Sequence, residues 1–377
     1  MFAKHDKITR PNYGAYGRVE YAVLGTKCGI IQELCQKIAQ QLTNKKTAYL
    51  DADHGSVHND KNIDSPFCIK YTDQITHHRF EQYDKINHFQ QKKAFNDCDL
   101  ILVNGNHFKA KKQVVILDPE KEKSLYKRRD QLTDIVLFIT MTATTYFPPF
   151  LDELHPNARK IRQLNIRQTD EIVSFFSQLL VEEQAPLYGL VLAGGKSRRM
   201  GEDKGKINIK GQDARRHLYG LLNRVCDQTY ISGRSDQKQE ISSLPFIPDR
   251  MYQMGPFGAI ITAFMHNPNV AWLVVATDLM LLEPESLEQL VKGRDTSKIA
   301  TAFHNEATGF PDPLCTIWEP KSYAHLLEFM RLGYSCPRKV LINSDLCTIE
   351  PANSQWLFNV NTPEDLNVLS QIKNTPH

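Results

Sequence analysis

Twice along this chain a short apolar run ends in a glycine turn. The first spans residues 19–24, followed by Gly25-Thr26-Lys27-Cys28-Gly29 and then an amphipathic stretch over residues 31–42. The second spans residues 187–192, followed by Ala193-Gly194-Gly195 and a basic loop. A buried strand that runs into glycines and then into a helix is the opening of a β-loop-α unit. Further apolar runs bounded by turn residues stand at 47–50, 100–103, 113–117, 135–139, 228–231 and 272–276. Helical spacing falls between several of them, as at 286–292 and 323–332. Alternation of this kind predicts an α/β protein whose mostly parallel sheets are flanked by helices, twice over.

A chain of 377 residues exceeds one typical domain. An amphipathic helix over 168–184 is followed by Ala185-Pro186, and proline cannot continue it. A new buried strand starts at once. The expected domains are therefore 1–184 and 185–377, each long enough for its own core. There is no internal repeat beyond the shared topology.

The 46 basic and 43 acidic residues nearly cancel, leaving a net charge of +3. That balance gives no field for nucleic acid or a membrane surface, but it permits a local basic patch. No apolar run approaches the roughly 20 residues that span a bilayer, and the first residues are polar. The eight cysteines form no C-x-x-C pair and no zinc spacing, so they read as reduced thiols. The expected location is cytoplasmic, with neither nucleic acid nor membrane as partner.

The stretch from Leu190 to Lys204 carries the chemistry. An apolar strand leads to Gly194 and Gly195, whose missing side chains let backbone N–H groups approach a triphosphate. Lys196, Arg198, Arg199 and Lys204 follow, four cations within nine positions. They suit the neutralisation of charge on a leaving pyrophosphate. A bare A-G-G would serve equally well in a routine turn beside a solvated basic face; the cations and Gly201 argue for the phosphate site. The loop is neither a Walker A sequence nor a dinucleotide G-x-G-x-x-G.

It resembles the L-A-G-G-x-S-x-R-M-G-x-D-K signature of molybdenum cofactor guanylyltransferases (MobA type). Every fixed position is present: Leu192, Ala193, Gly194, Gly195, Ser197, Arg199, Met200, Gly201, Asp203 and Lys204. The resemblance continues at Ile247-Pro248-Asp249, at Gly255-Pro256-Phe257-Gly258-Ala259, and at the strand 272–277 ending in Asp278. It returns at Pro311-Asp312-Pro313-Leu314-Cys315 and at the block from Phe358 to Leu366. It implies a Rossmann-like nucleotidyltransferase fold in the C-terminal domain. The activity implied is Mg²⁺-dependent transfer of GMP from GTP to molybdopterin, with release of pyrophosphate.

The implied site residues follow by position. Leu192, Ala193, Gly194 and Gly195 would hold the nucleotide through backbone groups, with Lys204 on its phosphates and Arg199 beside it. Asp249 would read the base or ribose, and Ser232 stands where the family often has asparagine. Asp278 would hold Mg²⁺, because a hard cation takes carboxylate oxygen and keeps waters and phosphates as its other ligands; an N-cap after a strand is its bland alternative. Asn361 and its neighbours would shape the pterin side or a second metal contact. Implied protein partners are molybdoenzymes or cofactor-insertion proteins. Two departures stand out: Leu279-Met280-Leu281-Leu282 lacks the proline usual after the metal aspartate, and Gln212-Asp213-Ala214-Arg215-Arg216 replaces a proline-leucine helix start. Other readings stay open: CTP as donor, a sugar phosphate as acceptor, or a non-catalytic carrier of the pterin. A pure carrier has no need of both Lys204 and Asp278.

In the N-terminal half, Gly25–Gly29 lacks the lysine and hydroxyl that a P-loop places on phosphate and magnesium. The segments 49–54 and 98–106, with the closing helix after Leu164, resemble the MobB-type adaptor GTPase. Asn104 replaces that family's glutamate. The resemblance implies a degenerate P-loop-like adaptor domain that has lost GTP hydrolysis; an unrelated α/β domain is the alternative. The scattered histidines there, His54, His58, His77, His78 and His88, read as solvated loop residues.

Overall fold

The computed structural model describes residues 14–52, 66–142, 146–194, 205, 207–209, 211–239, 241, 243–362 and 364–368. The chain divides into two compact units, Met1–Glu183 and Gln184–His377. Both are α/β with sheets flanked by helices.

The first unit begins with β1 (Glu20–Leu24), α1 (Cys28–Gln41) and β2 (Thr47–Leu50). A separate hairpin, β3 (Ile69–Asp73) and β4 (His78–Gln82), leads to α2 (His88–Ala94) and β5 (Leu100–Asn104). Next come β6 (Lys112–Leu117), α3 (Glu122–Tyr126), β7 (Ile135–Thr140), α4 (Pro149–Leu154), β8 (Gln163–Asn165) and α5 (Thr169–Glu182). The main sheet runs β2-β5-β1-β6-β7-β8, and every neighbouring pair is parallel. Such strands are covered on both faces, which is why they read as continuous apolar runs. Tyr21 and Val23 pack with Ile31, Leu34 and Ile38 of α1 and Phe176 of α5, whereas Leu24 packs on the other face with Leu125 and Leu151. Gly25 ends β1 with φ +106°, and a Cβ there would stand 2.3 Å from the Ile116 carbonyl oxygen, so only glycine makes this turn.

The second unit starts with β9 (Leu187–Leu192), a two-strand ribbon of β10 (Asn208–Ile209) and β11 (Gln212–Asp213), and α6 (Ala214–Leu222). It continues through β12 (Gln228–Gly233), β13 (Phe246–Pro248), α7 (Gly255–His266), β14 (Ala271–Ala276) and α8 (Pro284–Lys292). Last are β15 (Ala300–Asn305), β16 (Phe310–Trp318), α9 (Ser322–Arg331), α10 (Pro337–Ile342) and β17 (Cys347–Ile349). The sheet order is β13-β12-β9-β14-β16-β15-β17. The four strands from β13 to β14 are parallel; β16 runs antiparallel to both its neighbours, and β17 pairs parallel with β15.

Residues alternate across β9. Leu187, Val191 and Ala193 face α6 and α8, through Leu218, Leu222, Leu287 and Leu290. Leu190 and Leu192 face α7 and α9, through Phe257, Ile260, Phe264 and Leu326. After β9 the chain steps to β12 and β13 on one side, and then returns to β14 on the other. Strand order therefore reverses between β9 and β14. In open parallel sheets, the crevice beyond the strand ends at such a point is where ligands sit. Among the described residues, no helix is long and apolar enough to cross a membrane.

Candidate active site

The pairing of β9 with β14 sets the site. Leu192 lies opposite Ala276 in register, so Gly194 and Asp278 each stand two residues past a paired position at the same edge. Leu192 lies opposite Ser232 of β12, and Ile247 of β13 also pairs with Ser232. Asp249 follows two residues after Ile247. Four of the sequence-predicted residues, Gly194, Ser232, Asp249 and Asp278, thus come from four neighbouring parallel strands at their C-terminal ends.

Ser232 is buried and its hydroxyl donates to Oδ1 of Asp249 at 2.6 Å. The Asp249 N–H donates to the Gly233 carbonyl, which fixes that carboxylate over the strand end. A Cβ on Gly194 would meet Oδ2 of Asp249 at 2.6 Å. Glycine is needed there for the room it leaves to a carboxylate. Burial pushes the Asp249 carboxyl above the usual aspartate range, against the opposing pull of the Ser232 hydrogen bond and the Arg234 charge.

Leu192 and Ala193 are buried, and some of their backbone groups are already engaged. The Leu192 carbonyl accepts from the N–H and the hydroxyl of Thr277. The Ala193 N–H donates to the Ser232 carbonyl, and its own carbonyl accepts from the Gln237 side chain. The pairing between β9, β12 and β14 thus reaches one residue past the strand and engages these groups. Gln237 carried no signal in the sequence. Its side-chain oxygen accepts from the Arg234 N–H, so one buried amide ties the end of β12 to the glycine turn.

Asp278 is half-buried. Its backbone carbonyl accepts from the Val360 N–H at 3.0 Å, which draws the block around Asn361 to the β14 end of the sheet. Asn361 is exposed, and Asp365 caps the turn by accepting from the N–H groups of Asn361 and Thr362. The missing proline after Asp278 is answered by packing: Met280 and Leu281 join Ile209, Ala214, Phe358 and Val360 in a small apolar cluster. Continuing the antiparallel register of β14 and β16 places Asp312 at this same end. Its carboxylate accepts from the Asn305 amide and the Leu314 N–H inside the sheet.

Gly195, Arg199 and Lys204 lie outside the described residues. Among the described residues, no group of three His, Cys, Asp or Glu side chains could hold a metal ion. Asp278 offers one carboxylate, and a magnesium ion on a nucleotide commonly takes one or two, with phosphates and waters as the rest. The donor set fits a hard cation that arrives with a triphosphate.

In the other unit, the matching edge is differently furnished. The Thr26 hydroxyl donates to Asp118 at 2.6 Å, and the Asn106 amide donates to the Thr26 carbonyl at 2.9 Å. Asn104, at the end of β5, donates to Asp51 at 2.8 Å. Burial pushes the Asp51 carboxyl up, but hydrogen bonds from Tyr49, Asn104 and the Ala52 N–H, with the His107 charge, hold it below the usual range.

Comparison with known proteins bears on the second unit. The model of the MobA-like NTP transferase domain matches residues 189–345. The molybdenum cofactor biosynthesis bifunctional protein of Synechocystis sp. is 39% identical over 184 residues, which are 48% of this chain and 53% of that one. The chain therefore spans about half the length of that relative. The probable molybdenum cofactor guanylyltransferase of Trichormus variabilis is 31% identical over 189 residues, 48% of this chain and 90% of that protein. The crystal structure of molybdopterin-guanine dinucleotide biosynthesis protein A from Archaeoglobus fulgidus matches 49% of this chain and 98% of its own, at 23% identity and a TM-score of 0.43. That last likeness is too slight to carry weight.

Proposed function

The chain belongs, through its C-terminal half, to the molybdenum cofactor guanylyltransferase family and is a nucleotidyltransferase, and we propose that it transfers GMP from GTP to molybdopterin. The observation that supports this reading is the register of β9 against β14. It sets a glycine turn and a half-buried carboxylate side by side at the point where strand order reverses.

In this reading the terminal phosphate of the pterin attacks the α-phosphorus of GTP, and pyrophosphate leaves. A phosphate is anionic at neutral pH, so no general base is called for, and rate comes from alignment and charge neutralisation. Gly194 and Gly195 give the triphosphate close approach to backbone. Lys204 and Arg199 oppose its charge. Asp249 reads the nucleotide through the oxygen that Ser232 leaves open. Asp278 is the residue that would hold Mg²⁺, which supplies further charge neutralisation on the phosphates. Asn361 borders the pterin side. The test is release of pyrophosphate by the purified chain with molybdopterin and either GTP or CTP. Release with GTP alone is expected; release with CTP alone would overturn the guanylyl assignment.

The N-terminal unit we read as a degenerate adaptor domain. Gly25 is closed against Ile116, and the Thr26 hydroxyl donates to Asp118 rather than standing in the P-loop's hydroxyl position. Incubated with GTP and Mg²⁺, the full chain should release no orthophosphate.

A further inference from the structure

Beyond the proposed transferase site, the edge of the N-terminal sheet holds a second reactive grouping. Cys28 opens α1, a helix of 14 residues, and its Sγ lies 3.2 Å from Nε2 of His107. The same ring nitrogen is 3.9 Å from Oδ1 of Asp51, which follows β2. The Asn106 side-chain amide donates toward the sulfur from 3.7 Å. Carboxylate and sulfur address one ring nitrogen rather than opposite ones, so this is no hydrolase triad. It is a thiol with an imidazole nitrogen in hydrogen-bond reach and a carboxylate beside that nitrogen.

Charge around the pair narrows what it can meet. Asp51 and Asp118 stand on the same edge, and Lys27 pairs with Glu120 at 3.2 Å. An anionic reactant would face carboxylates; a small uncharged one would not. Cys28 itself is only half-buried.

We propose that Cys28 is a nucleophilic thiol that undergoes exchange with small uncharged disulfides, with His107 as its base. His107 takes the Cys28 proton, the sulfur attacks one sulfur of the disulfide, and a Cys28 mixed disulfide forms as the old S–S bond breaks. The departing thiolate takes the proton back from His107. One disulfide is consumed and one formed, with no net oxidation.

The chain contains its own controls, because Cys68 and Cys336 are exposed and Cys28 is not. If access alone governed rate, those two would react first. Full-length protein is treated with bis(2-hydroxyethyl) disulfide at neutral pH, quenched with acid, and its cysteine peptides quantified by mass spectrometry over time. The Cys28 adduct should form at least about tenfold faster than adducts at Cys68 or Cys336. His107→Gln should bring Cys28 down to their rate without changing theirs. Cys28 reacting no faster than the two exposed thiols overturns the proposal. A folded His107→Gln protein in which Cys28 keeps its lead overturns it equally. Should that variant fail to fold, the three-thiol comparison in the unaltered chain decides alone.

Discussion

The turns after β1 and β9 start from one plan and finish with opposite chemistry. After β1 the edge is occupied by the unit's own groups, with Thr26 on Asp118, Asn106 on the Thr26 carbonyl, and Asn104 on Asp51. After β9 the sequence places four cations, and the neighbouring strands bring Asp249 and Asp278 to the strand ends. The carboxylates at the two edges differ as well. Hydrogen bonds hold Asp51 below the usual aspartate range, whereas burial holds Asp249 above it. Topology supplies an edge of strand ends; the side chains decide how it is furnished.

The hardest test of that contrast removes the charges on the second edge. Asp278→Ala and Lys204→Ala should each lower the rate of pyrophosphate release by about a hundredfold or more, with the circular dichroism unchanged. Near-normal turnover by Asp278→Ala in Mg²⁺ would sink the metal assignment. Asp249→Asn should weaken GTP binding by about ten- to a hundredfold in calorimetry, the worth of a hydrogen bond to a charged acceptor. For the unaltered chain, GTP affinity should fall on acidification at a pH above that of an ordinary aspartate, since a protonated Asp249 loses its acceptor. Gly194→Ala drives a methyl into Asp249 and should cost about 1–3 kcal/mol of stability by denaturant unfolding, along with GTP affinity.

The smallest expected effects concern stability against pH. Asp51 has a depressed folded pKa, so it stabilises above its unfolded pKa, and that contribution is lost as pH falls through the folded value. Asp249 has a raised one, so its contribution is complete at low pH and is lost as pH rises through the folded value. At neutral pH, Asp51→Asn should therefore lower Tm and leave GMP transfer intact, whereas Asp249→Asn should raise Tm slightly. The same sign for both would erase the distinction between the edges.

Much of this architecture was legible in the residues. The runs 100–103 and 272–276 are strands because their apolar side chains are covered on both faces, and such runs need no alternation to be recognised. The hairpin of β3 and β4 was not legible: its strands carry Lys70, Thr72, Arg79 and Glu81, and Tyr71 and Phe80 stay exposed, so no buried face marks them. β16 was masked by Pro311 and Pro313, which lack the N–H a ladder needs. The ladder with β15 shifts register between Ala302 and His304, next to where Pro311 pairs. At the site, the residue types that suit phosphate and metal could be named from the sequence. Contacts between distant segments could not: nothing in Gly194 announces a carboxylate in the place of its side chain, and nothing in Gln237 announces the Ala193 carbonyl.

The bond from the Val360 N–H to the Asp278 carbonyl has a consequence for truncation of the chain. The strands that frame the site come well before the segment that steadies Asp278. A chain that lacks Val360 can therefore keep the strands that frame the site while losing the bond that holds the Asp278 backbone. Shortening the chain to end before Val360 should therefore leave the preceding strands intact and show its effect as faster hydrogen exchange around Asp278.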